Sequence, residues 1–470
     1  MKRSAPTTLG ELKADGYRSR SVRDELRDNL IRKLEAGEEL FPGIWGYDDS
    51  VIPHLSNAIL SRHDFILLGL RGQAKSRILR QLVSLLDPGI PVVAGSEIND
   101  DPLAPISKYG RTMVADHGDD TPVEWLGREQ RYLEKLATPD VTIADIIGDL
   151  DPIKAARGGH ILSDELTIHY GMLPRANRGI FAMNELPDLS PRIQVGLFNI
   201  LEEGDVQIKG YPVRLPLDLL IAFTANPEDY TARGKIITPL KDRISAEVRT
   251  HYPRTFHVAV EITAQEAWVA RNGRPLEIPP FVAAVVERVA ILARMDDRID
   301  QRSGVSQRMS IAVLETVVSS AEQRAIRRNE DEVVPRIGDV YAALPAITGK
   351  MELEYEGELH GARRIAVDLI TTAAGTTYGD PAEGADVSSI IDYFESGGVM
   401  QVSEDASAAA CVAGFQQVPG LLELTETLGF APEGSSDGLK AAACELILEG
   451  LVSGRQLTRT RGGGYRAANP

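Results

Sequence analysis

The spacing of apolar positions changes along the chain and predicts helical segments at its start and after residue 260. Near the N-terminus, Val22, Leu26, Leu30 and Leu34 recur at helical intervals, which predicts one leading helix within residues 1–40. Residues 261–375 contain the stretches FVAAVVERVAILARM and SIAVLETVVSSAEQRAIRR, both with the 3.6-residue stripe of amphipathic helices. This second region is predicted to form a helical lid.

Residues 41–260 have a different pattern, in which short apolar runs alternate with helical segments. That alternation predicts parallel βα units and an αβα core. The runs are too apolar for strands exposed on one side, so a sheet covered on both faces is expected. The predicted strands are Phe65–Leu68, Pro91–Ala94, Gly179–Met183 and Leu219–Thr224.

Polar and flexible segments suggest where the domains divide. A long polar insertion is expected at about 97–138, and the stretch 373–389 has the composition of a linker. In the last region, 376–470, a helical pattern precedes the basic stretch RQLTRTRGGGYRA. A helix followed by a glycine-tipped hairpin predicts a small winged-helix-like α+β domain.

Composition and charge narrow the possible classes of protein. The chain has 470 residues, of which 43% are hydrophobic and 25% charged, as in globular proteins of several domains. Its net charge of -17 argues against a broad nucleic-acid-binding surface. Two cysteines in helical surroundings provide neither a disulfide framework nor a zinc site. Without a signal-peptide or membrane-span pattern, a cytoplasmic protein is expected.

The stretch ILLGLRGQAKSRIL resembles a phosphate-binding loop, whose pattern is G-x-x-x-x-G-K-[ST]. Gly69, Lys75 and Ser76 match, whereas Ala74 replaces the second glycine. If φ is negative at Ala74, its methyl group costs little. A buried strand precedes the loop and an amphipathic helix follows it, which is the context that phosphate binding requires. The predicted nucleotide-binding residues are Gly69, Leu70, Arg71, Gly72, Gln73, Ala74, Lys75, Ser76 and Arg77.

Two further strands end in polar side chains suited to ATP hydrolysis. The strand in RGIFAMNELPDLS ends at Asn184 and Glu185, and the strand in LLIAFTANPEDY ends at Asn226. Glu185 is predicted to polarise the attacking water. Asn184 occupies a position where aspartate is expected and is predicted, with Ser76, to contact Mg²⁺ or its bound water. Asn226 is predicted to orient the water or contact the γ-phosphate, although a simple Asn-Pro turn also explains it.

Two arginines complete the set of candidate catalytic residues. Arg243 follows the Asn226 strand and is suited to stabilise charge on the γ-phosphate from a neighbouring subunit. Arg308 begins a predicted lid helix and could bridge lid and nucleotide. A surface salt bridge is the alternative for each of them.

In order and spacing, these motifs resemble the AAA+ ATPases, and more narrowly the magnesium-chelatase I subunit and MoxR branch. The segment from Gly171 to Tyr230 contains the most telling features: ANRGI, a strand ending in NE, then NILEEG, VQIKGYPVRLP and TANP. The upstream stretch TIADIIGDLDPIKAARGG is also similar. The resemblance covers about residues 41–350.

The resemblance implies a Mg²⁺-dependent ATPase that forms a ring homo-oligomer, with a hexamer expected. It also implies a partner protein with a von Willebrand A-type domain, which the ring remodels or drives in metal insertion. The hairpin Gln207–Leu215 would be a pore or partner insert. Asn184 and Ala74 depart from the family pattern.

Two other classes of function stay open on the sequence. A transcription regulator or another DNA-directed ring could use the C-terminal wing, through Arg455, Arg459 and Arg461. A nucleotide-gated scaffold with weak hydrolysis is suggested by the neutral Asn184. On the sequence alone, Asn184→Asp is expected to strengthen the Mg²⁺ dependence of ATP hydrolysis.

Overall fold

The computed structural model describes residues 5–154, 164–208, 214–227, 235–403, 405–460 and 463–468. The chain forms two compact units, Met1–His251 and Tyr252–Pro470. The tip of the expected Gln207–Leu215 hairpin and Arg461 lie outside the described residues. In the described part of the chain, no helix is both long and apolar enough to cross a membrane.

The first unit combines ten described α-helices with eleven strands. The helices are α1 Leu9–Ala14, α2 Val22–Glu35, α3 Val51–Leu60, α4 Lys75–Gln81, α5 Lys108–His117, α6 Ile143–Ile146, α7 Met172–Arg175, α8 Pro191–Gly196, α9 Phe198–Glu202 and α10 Thr238–Arg243. The strands are β1 Phe65–Leu68, β2 Gly89–Val93, β3 Val123–Gly127, β4 Tyr132–Leu136, β5 Gly148–Leu150, β6 Ile168–Tyr170, β7 Gly179–Asn184, β8 Asp205–Gln207, β9 Arg214–Pro216, β10 Leu219–Ala225 and β11 Ala246–Arg249.

A five-stranded sheet with the order β11-β1-β10-β7-β4 forms the centre of this unit, and all its neighbouring strands are parallel. Side chains alternate between its two faces. Phe65 and Leu67 pack into one core with α2, α3 and α4, whereas Ile66 and Leu68 pack into a second core on the opposite face. Both faces are therefore covered, and the predicted αβα core with a parallel sheet is confirmed.

Two details of the strand prediction are wrong. The Pro91–Ala94 run falls in β2, which pairs antiparallel with β3 in a separate two-stranded sheet. The central sheet uses β4 instead, which lies inside the predicted polar insertion, and β11 at its other edge. Edge strands are less buried and carry polar residues, as in YLEKL and AEVR, so apolar runs do not reveal them.

The leading region contains two helices, α1 and α2, where the sequence predicted one. Helix α2 is held in place by a buried ion pair, in which the two terminal nitrogens of the Arg131 guanidinium donate to the Glu25 carboxylate, at 2.7 and 2.6 Å. The two side chains are only 1% and 3% exposed. Arg131 also donates through Nε to the carbonyl of Arg178, at 2.8 Å. The predicted apolar stripe is buried up to Leu30, whereas Leu34 is 48% exposed.

The second unit is mainly helical and ends in a hairpin. Its helices are α11 Phe256–Glu266, α12 Pro280–Ala293, α13 Arg308–Arg328, α14 Ile337–Ala342, α15 Leu344–Thr348, α16 Tyr355–His360, α17 Ala362–Ala382, α18 Ser388–Glu395, α19 Ala408–Phe415, α20 Leu421–Thr427 and α21 Asp437–Ser453. Strands β12 Leu457–Arg459 and β13 Tyr465–Ala467 pair antiparallel, as the winged-helix-like prediction requires.

The expected linker at 373–389 is largely helical. Residues 373–382 form the last turns of α17, which packs along α21 in the same hydrophobic core. Every residue from Ala441 to Leu451 is buried, so α21 is a central core helix without an open face for a DNA groove. Because the sequence of α21 is rich in alanine and apolar residues around its whole circumference, other helices can pack against it on every side.

A buried polar cluster joins the lid helix α14 to the terminal hairpin. Glu449 accepts hydrogen bonds from Tyr341 at 2.9 Å and Tyr465 at 2.8 Å, and also pairs with Arg459. The Arg459 guanidinium lies 3.7 Å from the centre of the Tyr341 ring. Burial, followed by the charge of Glu449, raises the pKa of Tyr341, which keeps the phenol protonated as a donor. Arg459 is thus engaged inside the unit.

Replacing Glu25 by glutamine should strongly destabilise the first unit, because the Arg131 charge would stay buried without its partner. A loss of about 3 kcal/mol in the free energy of unfolding is expected. Denaturant unfolding followed by circular dichroism measures it. The control is Glu38→Gln, since Glu38 pairs with Lys33 at the surface and is 56% exposed; equal losses in both variants would contradict the importance of the buried pair.

Candidate functional site

The loop between β1 and α4 has the tight backbone of a phosphate-binding loop. Gly72 has a φ of 76°, which glycine adopts without strain. Gly69 lies against Thr250 and Gln73, and a Cβ at Gly69 would overlap Thr250 Oγ1 and Gln73 Oε1. Gln73 is held there by a 2.7 Å hydrogen bond from Thr250 Oγ1. Both glycines are therefore required by the conformation of the loop.

Ala74 adopts the left-handed conformation, with φ 56° and ψ 13°. The expectation of a negative φ at this position is wrong, because the chain bends in the left-handed sense before α4 begins at Lys75. A side chain in this region costs about 1 kcal/mol. The Ala74 methyl group packs against the core of the sheet, which compensates part of that cost.

Lys75 points back over the loop and is only 7% exposed. Its ammonium group donates to the carbonyls of Gly69 and Leu70, the latter at 3.0 Å, and to Asn226 Oδ1 at 2.8 Å. Each of these three acceptors is a neutral oxygen. An anion entering the loop would meet this ammonium group directly.

The ends of β7 and β10 meet beside Lys75, as the parallel sheet requires. Asn226 accepts from Lys75 and donates through Nδ2 to Glu185 Oε2, at 3.0 Å. A hydrogen-bonded path therefore runs from Lys75 through Asn226 to Glu185. Glu185 is in the left-handed region, with φ 55°, and its backbone N–H donates to Thr224 Oγ1 at 3.0 Å. The strained backbone directs the carboxylate towards Asn226.

Asn184 faces Ser76 at the first turn of α4. Its Oδ1 accepts from Ser76 Oγ at 3.3 Å and from Thr224 Oγ1 at 3.1 Å. Its Nδ2 donates to Glu134 Oε1 at 2.5 Å. The amide oxygen therefore points to Ser76 and the amide nitrogen points away from it.

Glu134 lies on β4, one strand beyond Asn184 in the sheet. Burial would raise the pKa of this carboxyl, but hydrogen bonds from Arg80, and then from Asn184, outweigh burial and lower the pKa. Arg80 donates to it at 2.8 and 3.1 Å. Glu134 is consequently ionised at neutral pH.

Three side-chain oxygens that could bind a metal ion lie together at the start of α4. They belong to Ser76, Thr224 and Asn184. Hydroxyl and amide oxygens suit Mg²⁺, which keeps several waters and commonly binds substrate phosphates rather than a full protein cage. Among the described residues, no group of three or more His, Cys, Asp or Glu side chains forms a metal cage. The residues fit Mg²⁺ only in combination with a phosphate ligand.

The predicted Arg243 lies outside the cluster formed by Lys75, Ser76, Asn184, Glu185 and Asn226. Arg243 ends α10 and donates to Glu202 at 2.8 and 2.6 Å, with its guanidinium 4.7 Å from the centre of the Phe198 ring. Arg308 is exposed at the start of α13 in the second unit. Of the remaining loop residues, Arg71 is exposed, and Leu70 and Arg77 are half-buried.

Sequence reasoning missed Thr224, Thr250 and Glu134. A threonine inside the apolar run LLIAFTA was a signal for Thr224, because a polar group in a fully buried strand needs partners. Nothing in the local pattern marked Glu134, which follows from the pairing of β4 with β7.

Part of the chain is similar in sequence to known proteins. The magnesium-chelatase 38 kDa subunit of Cereibacter sphaeroides is 28% identical over 221 residues, which are 45% of this chain and 58% of that protein. Magnesium-chelatase subunit ChlI-1 of Arabidopsis thaliana is 28% identical over 232 residues, 48% of this chain and 51% of that protein. The chain is a homologue of magnesium-chelatase I subunits. The resemblance drawn from the sequence is thereby confirmed.

The chain spans little more than half the length of the curated relatives it matches. No family model matches it. In a solved complex of BchI and BchD of magnesium chelatase, one chain aligns over 68% of this chain and 98% of its own length, at 21% identity and a TM-score of 0.36. That score is too low to add to the assignment.

Replacing Ala74 by glycine should relieve the left-handed strain in the loop. The free energy of unfolding of the first unit is expected to rise by up to about 1 kcal/mol. Chemical denaturation measures the change. Ala58→Gly in α3 is the matched control and should lower stability instead, by about 1 kcal/mol, because Ala58 has ordinary helical geometry. A loss of stability in Ala74→Gly would show that the strain is not relieved.

Proposed function

We propose that this chain is a Mg²⁺-dependent ATPase of the AAA+ class, which acts as a ring and uses ATP hydrolysis to remodel a partner protein. The observation that carries the proposal is the convergence of Lys75, Ser76, Asn184, Glu185 and Asn226 at one edge of the sheet. These residues come from three separate parts of the chain. A merely structural glycine turn would not need a buried lysine aligned with two strand ends.

Within this proposal, the loop Gly69–Arg77 surrounds the phosphates and the Lys75 ammonium offsets their negative charge. Ser76 and Asn184 would hold Mg²⁺ through their side-chain oxygens, and bound Mg²⁺ would neutralise charge on the phosphates. The Glu185 carboxylate orients and polarises the attacking water. Asn226 fixes that carboxylate relative to Lys75, because it contacts both.

Arg243 is the candidate for a residue that assists hydrolysis in a neighbouring subunit. Arg243 is held by Glu202 and Phe198 and does not join the Lys75 cluster of its own chain. We propose that Arg243 acts on the nucleotide of a neighbouring subunit, as an arginine finger does. We therefore propose a homo-oligomeric ring, a hexamer by analogy with the family, with Arg308 contributed by the lid.

The partner is proposed from the relationship to magnesium-chelatase I subunits. A protein with a von Willebrand A-type domain would receive the conformational change of the ring. The identity of that partner decides whether the ring drives metal insertion or chaperone-type activation.

The nucleic-acid alternative is less favoured than the sequence suggested. Arg459, one of its three candidate contacts, pairs with Glu449 and stacks on Tyr341. Helix α21 has no open face for a groove of DNA. Arg455 is exposed and Arg461 lies outside the described residues, but a few arginines on a chain with a net charge of -17 provide little counterion release.

Two substitutions separate nucleotide binding from hydrolysis. Lys75→Ala should abolish ATP binding, because the buried ammonium group is lost, whereas Glu185→Gln should bind ATP and hydrolyse it at least about a hundredfold more slowly. Titration with a fluorescent ATP analogue and steady-state phosphate release measure the two steps.

Lys13→Ala is the control for the first substitution, since Lys13 is at the surface and pairs with the exposed Asp119. The ATPase assignment fails if Lys75→Ala and Glu185→Gln both hydrolyse ATP at the wild-type rate. If wild-type protein binds ATP without measurable turnover even with its partner, the scaffold alternative replaces the motor.

A further inference from the structure

The neutral Asn184 has a carboxylate directly behind it. Glu134 Oε1 accepts a hydrogen bond of 2.5 Å from Asn184 Nδ2, on the side away from Ser76. In register, β4 and β7 are adjacent parallel strands, with Leu136 opposite Asn184 and Glu134 opposite Ala182. The negative charge missing at the end of β7 is thus present on the neighbouring strand.

Hydrogen bonds fix the direction in which the Asn184 amide points. Thr224 Oγ1 accepts from the Glu185 N–H, so its own hydrogen is left to donate to Asn184 Oδ1. Glu134 accepts from the other end of the amide, where an oxygen would be repelled. Both contacts favour the orientation with Oδ1 towards Ser76. Without Glu134, the amide would lose the partner that holds its nitrogen away from the phosphate side.

Glu134 is also paired with the Arg80 guanidinium, which bears the opposite charge. Its side chain is 22% exposed, while the Arg80 guanidinium that pairs with it is 66% exposed, so solvent screens the arginine more than the glutamate. The carboxylate also polarises the amide it binds, because a charged acceptor makes a stronger hydrogen bond and shifts electron density towards Oδ1. The negative charge of Glu134 and the polarised amide oxygen would both stabilise a cation near Oδ1.

We propose that Glu134 is a positioning residue for the Mg²⁺ that accompanies the nucleotide, and that the pair Glu134 and Asn184 together replaces a single strand-end aspartate. Glu134 acts through Asn184 and contacts no phosphate itself. The inference rests on the proposed ATPase function and deepens it. It also changes an expectation from the sequence: Asn184→Asp alone would place two carboxylates in contact and should not strengthen Mg²⁺ binding.

The test exchanges the two groups. Glu134→Gln should weaken Mn²⁺ binding about tenfold in the presence of a non-hydrolysable ATP analogue, as loss of a partner behind a metal ligand does. Asn184→Asp alone should also bind Mn²⁺ more weakly than wild type. The double variant Glu134→Gln with Asn184→Asp should recover most of the affinity, because an amide again faces a carboxylate. Mn²⁺ titration by electron paramagnetic resonance measures binding without reference to turnover.

Glu129→Gln is the matched control, since Glu129 is 79% exposed and close in sequence; its Mn²⁺ affinity should equal that of wild type. Unfolding midpoints of all variants identify any that are merely unstable. Unchanged Mn²⁺ affinity in Glu134→Gln, or a double variant no better than the single ones, would overturn the inference alone. If wild-type protein does not bind the analogue, the proposed function and this inference fail together.

Discussion

The parallel pairing of β1, β10 and β7 is the constraint on which the candidate site depends. Because the three strands run in the same direction, their carboxyl ends meet at one edge of the sheet. That edge receives the loop after β1 and the polar residues after the other two strands. The hydrogen-bonded path from Lys75 through Asn226 to Glu185 is a direct consequence of that register.

The surroundings of this edge hold strained and charged groups in place. Two non-glycine residues of the site, Ala74 and Glu185, have left-handed backbones, a conformation that glycine adopts at lower cost. Strain of this kind persists only where neighbouring contacts fix the backbone. Here Thr224 binds the Glu185 N–H, and the core behind the loop packs against Ala74. Each strained residue is therefore fixed by a contact beside it.

In the second unit, the lid and the C-terminal region share buried contacts and are not separate modules on a flexible connection. Helix α17 continues through the expected linker and packs on α21. The buried Glu449 connects Tyr341 of the lid with Arg459 and Tyr465 of the hairpin. A buried carboxylate with several donors is costly to separate from them, so movement of the lid is expected to carry the terminal hairpin with it.

The sequence by itself determined the αβα fold class and the positions of the glycine-containing loop after β1 and of the polar residues at the ends of β7 and β10, because strongly apolar strands and local motifs depend on neighbours along the chain. It did not reveal the edge strands β4 and β11, whose polar residues resemble loops until a sheet pairs with them. Nor did it show the left-handed Ala74, whose φ depends on the packing of the whole loop. The partnership of Glu134 with Asn184 was decided only by tertiary structure, since these residues are 50 positions apart and meet through strand pairing.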